Sequence, residues 1–335
     1  MLRIFHNTKF DFIKWWRWAA GLTVGFILLG LASFAITGGV NYSIEFSGGT
    51  LMQLQFTQPT DAGTIRQTVD AAGFKGAEIQ QYGTNREYTV RARAAEGQTE
   101  AQSGGAETVS RRLERALQER FGASGVRVVR TEAVGPRVGA ELRRGAIVAI
   151  LISSLITLIY LAIRFEWRFG LAAVLSSGHD VLVTLAFLKL LHLEVSLTVV
   201  AAILTLLGYS LNDTIIIFDR VREDLRQKRR ESLHATLNRA INETLPRSIL
   251  THATVLAATL ALLIFAGEVL RPFAWVMTFG VFVATFSSIY VAGPLLLWIE
   301  QKWPRKTLAG VTQKAQGSAR PQQPQRPSQP TVGAR

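Results

Sequence analysis

Five ionisable side chains fall within or beside stretches of this 335-residue chain that are otherwise apolar. Asp213 interrupts VSLTVVAAILTLLGYSLNDTIIIFDR (195–220), and His179 and Asp180 sit near the middle of a run at 169–190. Arg247 and His252 open ETLPRSILTHATVLAATL (243–260). In a helix begun at Leu197, Asp213 lies about 24 Å along the axis, with roughly 9 Å left before Asp219 and Arg220 mark an edge. A carboxylate at such a depth in a bilayer costs about 2.5–3.5 kcal/mol even on the lenient insertion scale, so it must face protein or water. Two readings of Asp213 stand side by side. It is a satisfied helix–helix hydrogen-bonding group, or it is a proton relay, loading a proton when desolvated and releasing it when a cation approaches. Arg247 is the candidate cation, and its plainer reading is an arginine snorkelling to the interface.

The neighbours of Asp213 support a polar pocket. Tyr209 and Thr205 stand one and two turns earlier, and Ala201, Gly208 and Asn212 form an adjoining small or polar stripe suited to helix contact. Asp180 and His252 are further candidates to line that pocket. His179 and Asp180 are adjacent, and adjacent residues do not share a helix face, so they are not expected to act as a pair; His179 reads as structural. A His/Asp metal site is unmotivated, no Ser/His/Asp or metal-ligand constellation stands out, and the chain does not read as an enzyme.

The elements that must position these residues are membrane spans. Apolar residues make up 48% of the chain, and mean hydropathy is +0.22 although long polar segments are included. Runs long enough to cross about 30 Å of hydrocarbon occur at approximately 17–36, 145–163, 169–190, 195–217, 248–267 and 273–298. The net charge of +13 is not spread evenly. Cations gather at one set of span ends (Arg3, Lys9, Lys14, Arg17; Arg164, Arg168; Arg220 to Arg230; Lys302, Arg305, Lys306), while the loops around His192–Glu194 and Gly267–Arg271 are nearly free of them. Positive loops stay in the cytoplasm. Both termini are therefore expected inside, and the basic excess reflects topology and attraction to anionic membrane lipid, not nucleic acid. The first run reads as an uncleaved anchor. Without cysteine, disulfides and thiolate metal sites are excluded.

The expected organisation is a cytoplasmic N-terminus (1–16), a first span (17–36), an extracytoplasmic domain (37–142), spans two to six (143–300) and a disordered cytoplasmic tail (301–335). Within 37–142, Met52, Leu54 and Phe56 alternate with glutamines as a strand. A helix follows Pro59-Thr60-Asp61, and two strands flank Gly83-Thr84-Asn85. A second helix carries Val109, Leu113, Leu117 and Phe121, and Val126–Val134 closes the segment as a strand. The order βαββαβ is ferredoxin-like, with 94–105 as a solvated loop. Residues 219–247 are expected to include an interfacial helix lying on the membrane. Gly280, Ala284, Ser288 and Ala292 form a small-residue seam in span six, and Gly21 and Gly25 a shorter one in span one.

Several segments carry a resemblance. GYSLNDTIIIFDRVRED (208–224), VGPRVGAEL (134–142), HDVLVTL (179–185), TLPRSILTHAT (244–254), SSIYVAGPLL (287–296) and FSGGT (46–50) resemble motifs of the SecD/SecF family of protein-export membrane proteins, within the resistance-nodulation-division superfamily. The likeness covers about residues 10–300. It implies a six-span half-assembly in the bacterial inner (plasma) membrane, acting with SecD and YajC beside the SecYEG translocon on the exported preprotein chain. The implied energy source is the proton-motive force, with no cofactor. The family's functional acid falls on Asp213 and its arginine on Arg247; Asp180 and Asp219 also occupy motif positions. Two departures are Glu45, where the family usually has Asp, and His252, where a small hydroxyl residue is common. The competing functions are a proton-coupled small-molecule efflux transporter of the same superfamily and a passive assembly scaffold.

Overall fold

The computed structural model describes residues 8–92, 105–227, 231–267 and 269–304. The expected loop at 94–105 lies outside the described residues except for Gly105, which opens a helix, and Lys228 to Arg230 and the tail from 305 lie outside them too. A 3-10 turn at Ile13–Trp15 leads into α1 (Trp16–Thr37) and then the short α2 (Ile44–Ser47). The domain that follows runs β1 (Gly49–Phe56), α3 (Ala62–Ala71), β2 (Glu78–Gln81), β3 (Glu87–Ala92), α4 (Gly105–Phe121) and β4 (Val126–Val134). The remaining helices are α5 (Pro136–Arg164), α6 (Trp167–Leu190), α7 (Leu197–Arg226), α8 (Leu233–Phe265), α9 (Arg271–Tyr290) and α10 (Ala292–Lys302). Six stretches are long and apolar enough to cross a membrane, α9 and α10 together making the last.

The small domain is the expected βαββαβ unit. Its antiparallel sheet has the order β2-β3-β1-β4, with Met52 opposite Val90 on one side and Thr131 on the other. The alternation in β1 buries Met52, Leu54 and Phe56 under Ile65 and Val69 of α3 and Leu113 and Leu117 of α4. Asp61 caps α3 by accepting hydrogen bonds from the Gly63 and Thr64 amides. At the base, Gly48 has φ +73°, and a Cβ there would lie 2.8 Å from Pro136 Cα. Gly139 brings α5 against the Phe46 carbonyl, which a Cβ would meet at 3.1 Å. The FSGGT turn and the VGPRVGAEL segment therefore pack on each other.

The domain's base is tied to the α6–α7 loop. Ser43 donates its amide to Val195 O (3.0 Å), and the Val195 amide donates to Asn41 O (2.7 Å). Glu45 accepts the Leu197 amide at 2.6 Å, so it caps the helix that carries Asp213. Arg91 on β3 pairs with Glu78 at 3.2 Å and with Glu194 of the loop.

Two expectations about the helices change. The stretch after Glu231 is not a separate helix on the membrane surface. It is the first part of α8, which runs unbroken through Pro246 into the fifth span. Leu237, Ile241 and Leu245 bury against Leu161, Phe169, Ile217, Val221, Leu296 and Ile299. This packing compensates the single ladder hydrogen bond that proline removes. The small-residue seam of span one also lies elsewhere. A Cβ on Gly21 or Gly25 would meet nothing within 4 Å, whereas one on Gly30 would fall 2.5 Å from Ala186 Cβ, marking the close approach of α1 to α6. The span-six seam is buried, and Gly280 admits Leu206 of α7.

The chain's N-terminal segment is held by two asparagines one turn apart on α8. Asn242 accepts the Phe10 amide (3.0 Å) and donates to Phe10 O (2.8 Å). Asn238 accepts the Ile13 amide (3.1 Å) and donates to Asp11 Oδ1 (2.6 Å). These bonds satisfy the Phe10 and Ile13 amides and the Phe10 carbonyl within the protein.

Candidate functional site

Asp213 lies on the buried face of α7, with Leu206, Ser210, Thr214 and Ile217. Its partner in this conformation is His252, whose Nε2 is 3.2 Å from Asp213 Oδ2, without the alignment of a hydrogen bond. Arg247 sits on the exposed side of α8 and forms no ion pair among the described residues. Thr285 of α9 orients the imidazole: its Oγ1 is 2.8 Å from His252 Nδ1 and 2.7 Å from Val281 O. A hydroxyl has one proton to give. If it goes to Val281, Nδ1 must be the donor, and Nε2 then faces Asp213 with a proton only as imidazolium. If it goes to Nδ1, the neutral ring carries its proton on Nε2. Both arrangements fit the same heavy-atom positions, and they differ by one proton at the carboxylate. The Tyr209 ring lies 5.2 Å from the His252 ring, and its hydroxyl is buried without a partner among the described residues.

A second carboxylate is built next to the first. Asp180 on α6 accepts hydrogen bonds from Ser210 of α7 (2.5 Å) and Ser287 of α9 (2.7 Å), both on Oδ2. His179 Nδ1 lies 3.0 Å from Asp180 Oδ1, correcting the expectation that the adjacent pair would not meet. The helix does splay their Cβ atoms, but the imidazole is long enough to fold back along the axis. Ser210 and Asp213 are three residues apart on one helix face, so the two acids share one turn of α7.

Of the residues singled out from sequence, Asp213, His252 and Tyr209 come together, and Asp180 lies beside them. Asn212 does not join the pocket: it is exposed, on the same outward stripe of α7 as Ala201, Thr205 and Gly208. Asp219 is also exposed. Ser210, Ser287 and Thr285 were missed. Ser210 follows from its spacing to Asp213, whereas Ser287 and Thr285 depend on how α9 crosses α7 and α8, which no local pattern reveals.

Six spans, a split βαββαβ domain between the first and second, and carboxylates buried inside the bundle define a multi-pass membrane protein with ionisable groups at bilayer depth. Residues 114–302 match the family model described as protein export membrane protein SecD/SecF, C-terminal, and residues 34–60 match the SecD/SecF GG motif. A protein translocase subunit SecF from Gemmatimonas aurantiaca is 69% identical over 91% of this chain and 91% of its own length. The subunit of that name from Escherichia coli O157:H7 is 36% identical over 89% of this chain and 90% of its own. The solved structure of SecDF, a translocon-associated membrane protein from Thermus thermophilus, superposes with a TM-score of 0.76 at 36% identity, over 88% of this chain and 39% of that one. A SecDF structure in a super-membrane-facing form gives 0.63 at 34% identity, over 94% and 40%. The chain belongs to the SecD/SecF family of protein-export membrane proteins.

Proposed function

We propose that this chain is a proton-coupled subunit of the export machinery, and that Asp213 with His252 is the place where a proton is taken up and released. One observation carries the reading: a buried carboxylate and a buried imidazole stand 3.2 Å apart, and the same heavy-atom frame accommodates two proton arrangements. Intramembrane acids of this kind are functional by default. A proton moving down the membrane potential releases about 2.3 kcal/mol per 100 mV, comparable to the cost of breaking a few hydrogen bonds. Loading Asp213 removes its attraction for His252 and loosens α8 from α7. Glu45 caps α7, and Arg91 joins the loop ahead of it, so a shift of α7 is transmitted to the small domain. In the released state, Arg247, five residues before His252 on α8, becomes available to Asp213 as its alternative cation.

The partner implied is SecD. The chain spans about two fifths of the solved SecDF chain, and its outward stripe on α7 (Ala201, Thr205, Gly208, Asn212) places small and polar groups where lipid is a poor solvent. A second membrane half would cover it. The SecYEG translocon, YajC and the exported preprotein chain are partners by family resemblance. The basic span ends support an orientation with both termini in the cytoplasm and the small domain outside. No cofactor enters the scheme. In vesicles that contain the full export machinery, Asp213→Asn is expected to remove the dependence of export on the proton gradient while the variant still inserts. Gradient-dependent export at the wild-type rate by Asp213→Asn would refute this function.

A further inference from the structure

We propose that His179 is the proton port of the second carboxylate, passing protons between Asp180 and a groove that opens at the membrane edge on the side of the chain's N-terminus. The groove, about 670 Å³, lies among the segment before α1, helices α1, α6 and α10, the start of α8 and the end of α9, and His179 lines it. That volume leaves room for water where the wall carries polar groups, since each water needs about two to four polar partners. Lys14, His234 and Gln301 line it together with Trp16 and Trp298, and Thr23 supplies a hydroxyl farther in. Most of the remaining wall is apolar.

The imidazole is placed to connect the two compartments. Its Nδ1 is on Asp180 Oδ1 (3.0 Å), while its Nε2 is buried and has no partner among the described residues. Asp180 Oδ2 is held by Ser210 and Ser287, so Oδ1 is the oxygen open to a proton. The titratable groups facing the groove from neighbouring elements are Lys14, His234 and Tyr290. They leave His179 as the ionisable group that touches both groove and carboxylate. The transfer balances as a tautomer relay. When side-chain motion uncovers the buried Nε2 to groove water, a proton binds Nε2, the Nδ1 proton moves to Asp180 Oδ1, and the ring is left neutral with its proton on Nε2. The reverse sequence returns the proton, and no other group is consumed. Because Ser210 joins Asp180 to the turn of α7 that carries Asp213, the charge of Asp180 is felt by the relay proposed above. This inference deepens that proposal, but its test does not depend on export.

The test uses the full chain in proteoliposomes and reads the infrared carboxyl band that Asp180→Asn deletes, following its hydrogen–deuterium exchange after mixing. His179→Phe is expected to slow that exchange by about a hundredfold, the low end for a positioned proton-transfer group. His179→Gln keeps a donor toward Asp180 but cannot relay, and is expected to be equally slow. Ala20→Trp fills the groove and leaves His179 intact; it is also expected to slow exchange. Fast exchange in Ala20→Trp, full rescue by His179→Gln, or no band assignable to Asp180 at any pH where the protein stays folded would each overturn the port. A lipid chain filling the groove gives the first of these outcomes. Normal export by Asp213→Asn would sink the proposed function while leaving these rates to be read on their own.

Discussion

Replacing His252 by alanine tests the central contact directly. The His252 and Asp213 side chains are 7% and 3% exposed, so solvent screening of their interaction is weak. If the pair is ionised, deleting the imidazole leaves a buried carboxylate without its cation, a loss of about 3–5 kcal/mol. If the pair is neutral, the loss is that of the His252–Thr285 hydrogen bond and of the polar cover over Asp213, about 1–3 kcal/mol. Asp213→Asn combined with His252→Ala should recover most of the loss, because an amide without a partner costs less than an anion. Equilibrium unfolding of the four proteins of the cycle, in mixed micelles or bilayers, gives the coupling energy. An ionised pair is expected to show a coupling above about 2 kcal/mol, carrying the sign of mutual stabilisation. A His252→Ala loss below about 1 kcal/mol that simply adds to that of Asp213→Asn would refute the pairing.

Other consequences can be measured on the same protein. Gly280→Val should destabilise the bundle by about 1–3 kcal/mol, since a Cβ there falls 2.7 Å from both Leu206 methyls, and Leu206→Ala should relieve much of it. Leu54→Ala empties a fully buried position of the small domain and should cost that domain about 2–5 kcal/mol, read by amide exchange, with the span helices unaffected. Arg91→Ala should change stability by about 1 kcal/mol or less, because its partners Glu78 and Glu194 are partly exposed. It should nevertheless broaden the spin-label distance distribution between the small domain and the α6–α7 loop; an unchanged distribution would mean that the loop is held by its backbone contacts alone.

The fold was legible because both solvents write strong patterns. Hydrocarbon demands long apolar runs, and the alternation of Met52, Leu54 and Phe56 can only bury one face of a strand. Boundaries were less legible where a helix leaves the bilayer. The charged run at 219–247 suggests an interfacial helix separate from the fifth span, yet Leu237, Ile241 and Leu245 have a core to enter and make it the start of α8. Asp213 announced itself by its solvent, and so did His252. Their pairing did not, since it depends on the rotation of α8 against α7. The same rotation turns Arg247 outward. The three hydroxyls around the acids are common in helices and become informative only once α9 is seen to cross both. Glu45 shows the limit from the other direction. Its retained charge was visible, but its task of capping α7 is set across 152 residues of chain.

The asparagine clamp on α8 has a consequence for how the protein is made. Its contacts join residues 225 to 232 positions apart, so the strap around Phe10 and Ile13 leaves the ribosome long before Asn238 and Asn242 exist. The first span must enter the membrane with that segment still bonded to water, and the segment can be seated only after α8 has been synthesised. Docking of this segment is thus a late event in assembly, and it closes that rim of the bundle behind the helices already in place.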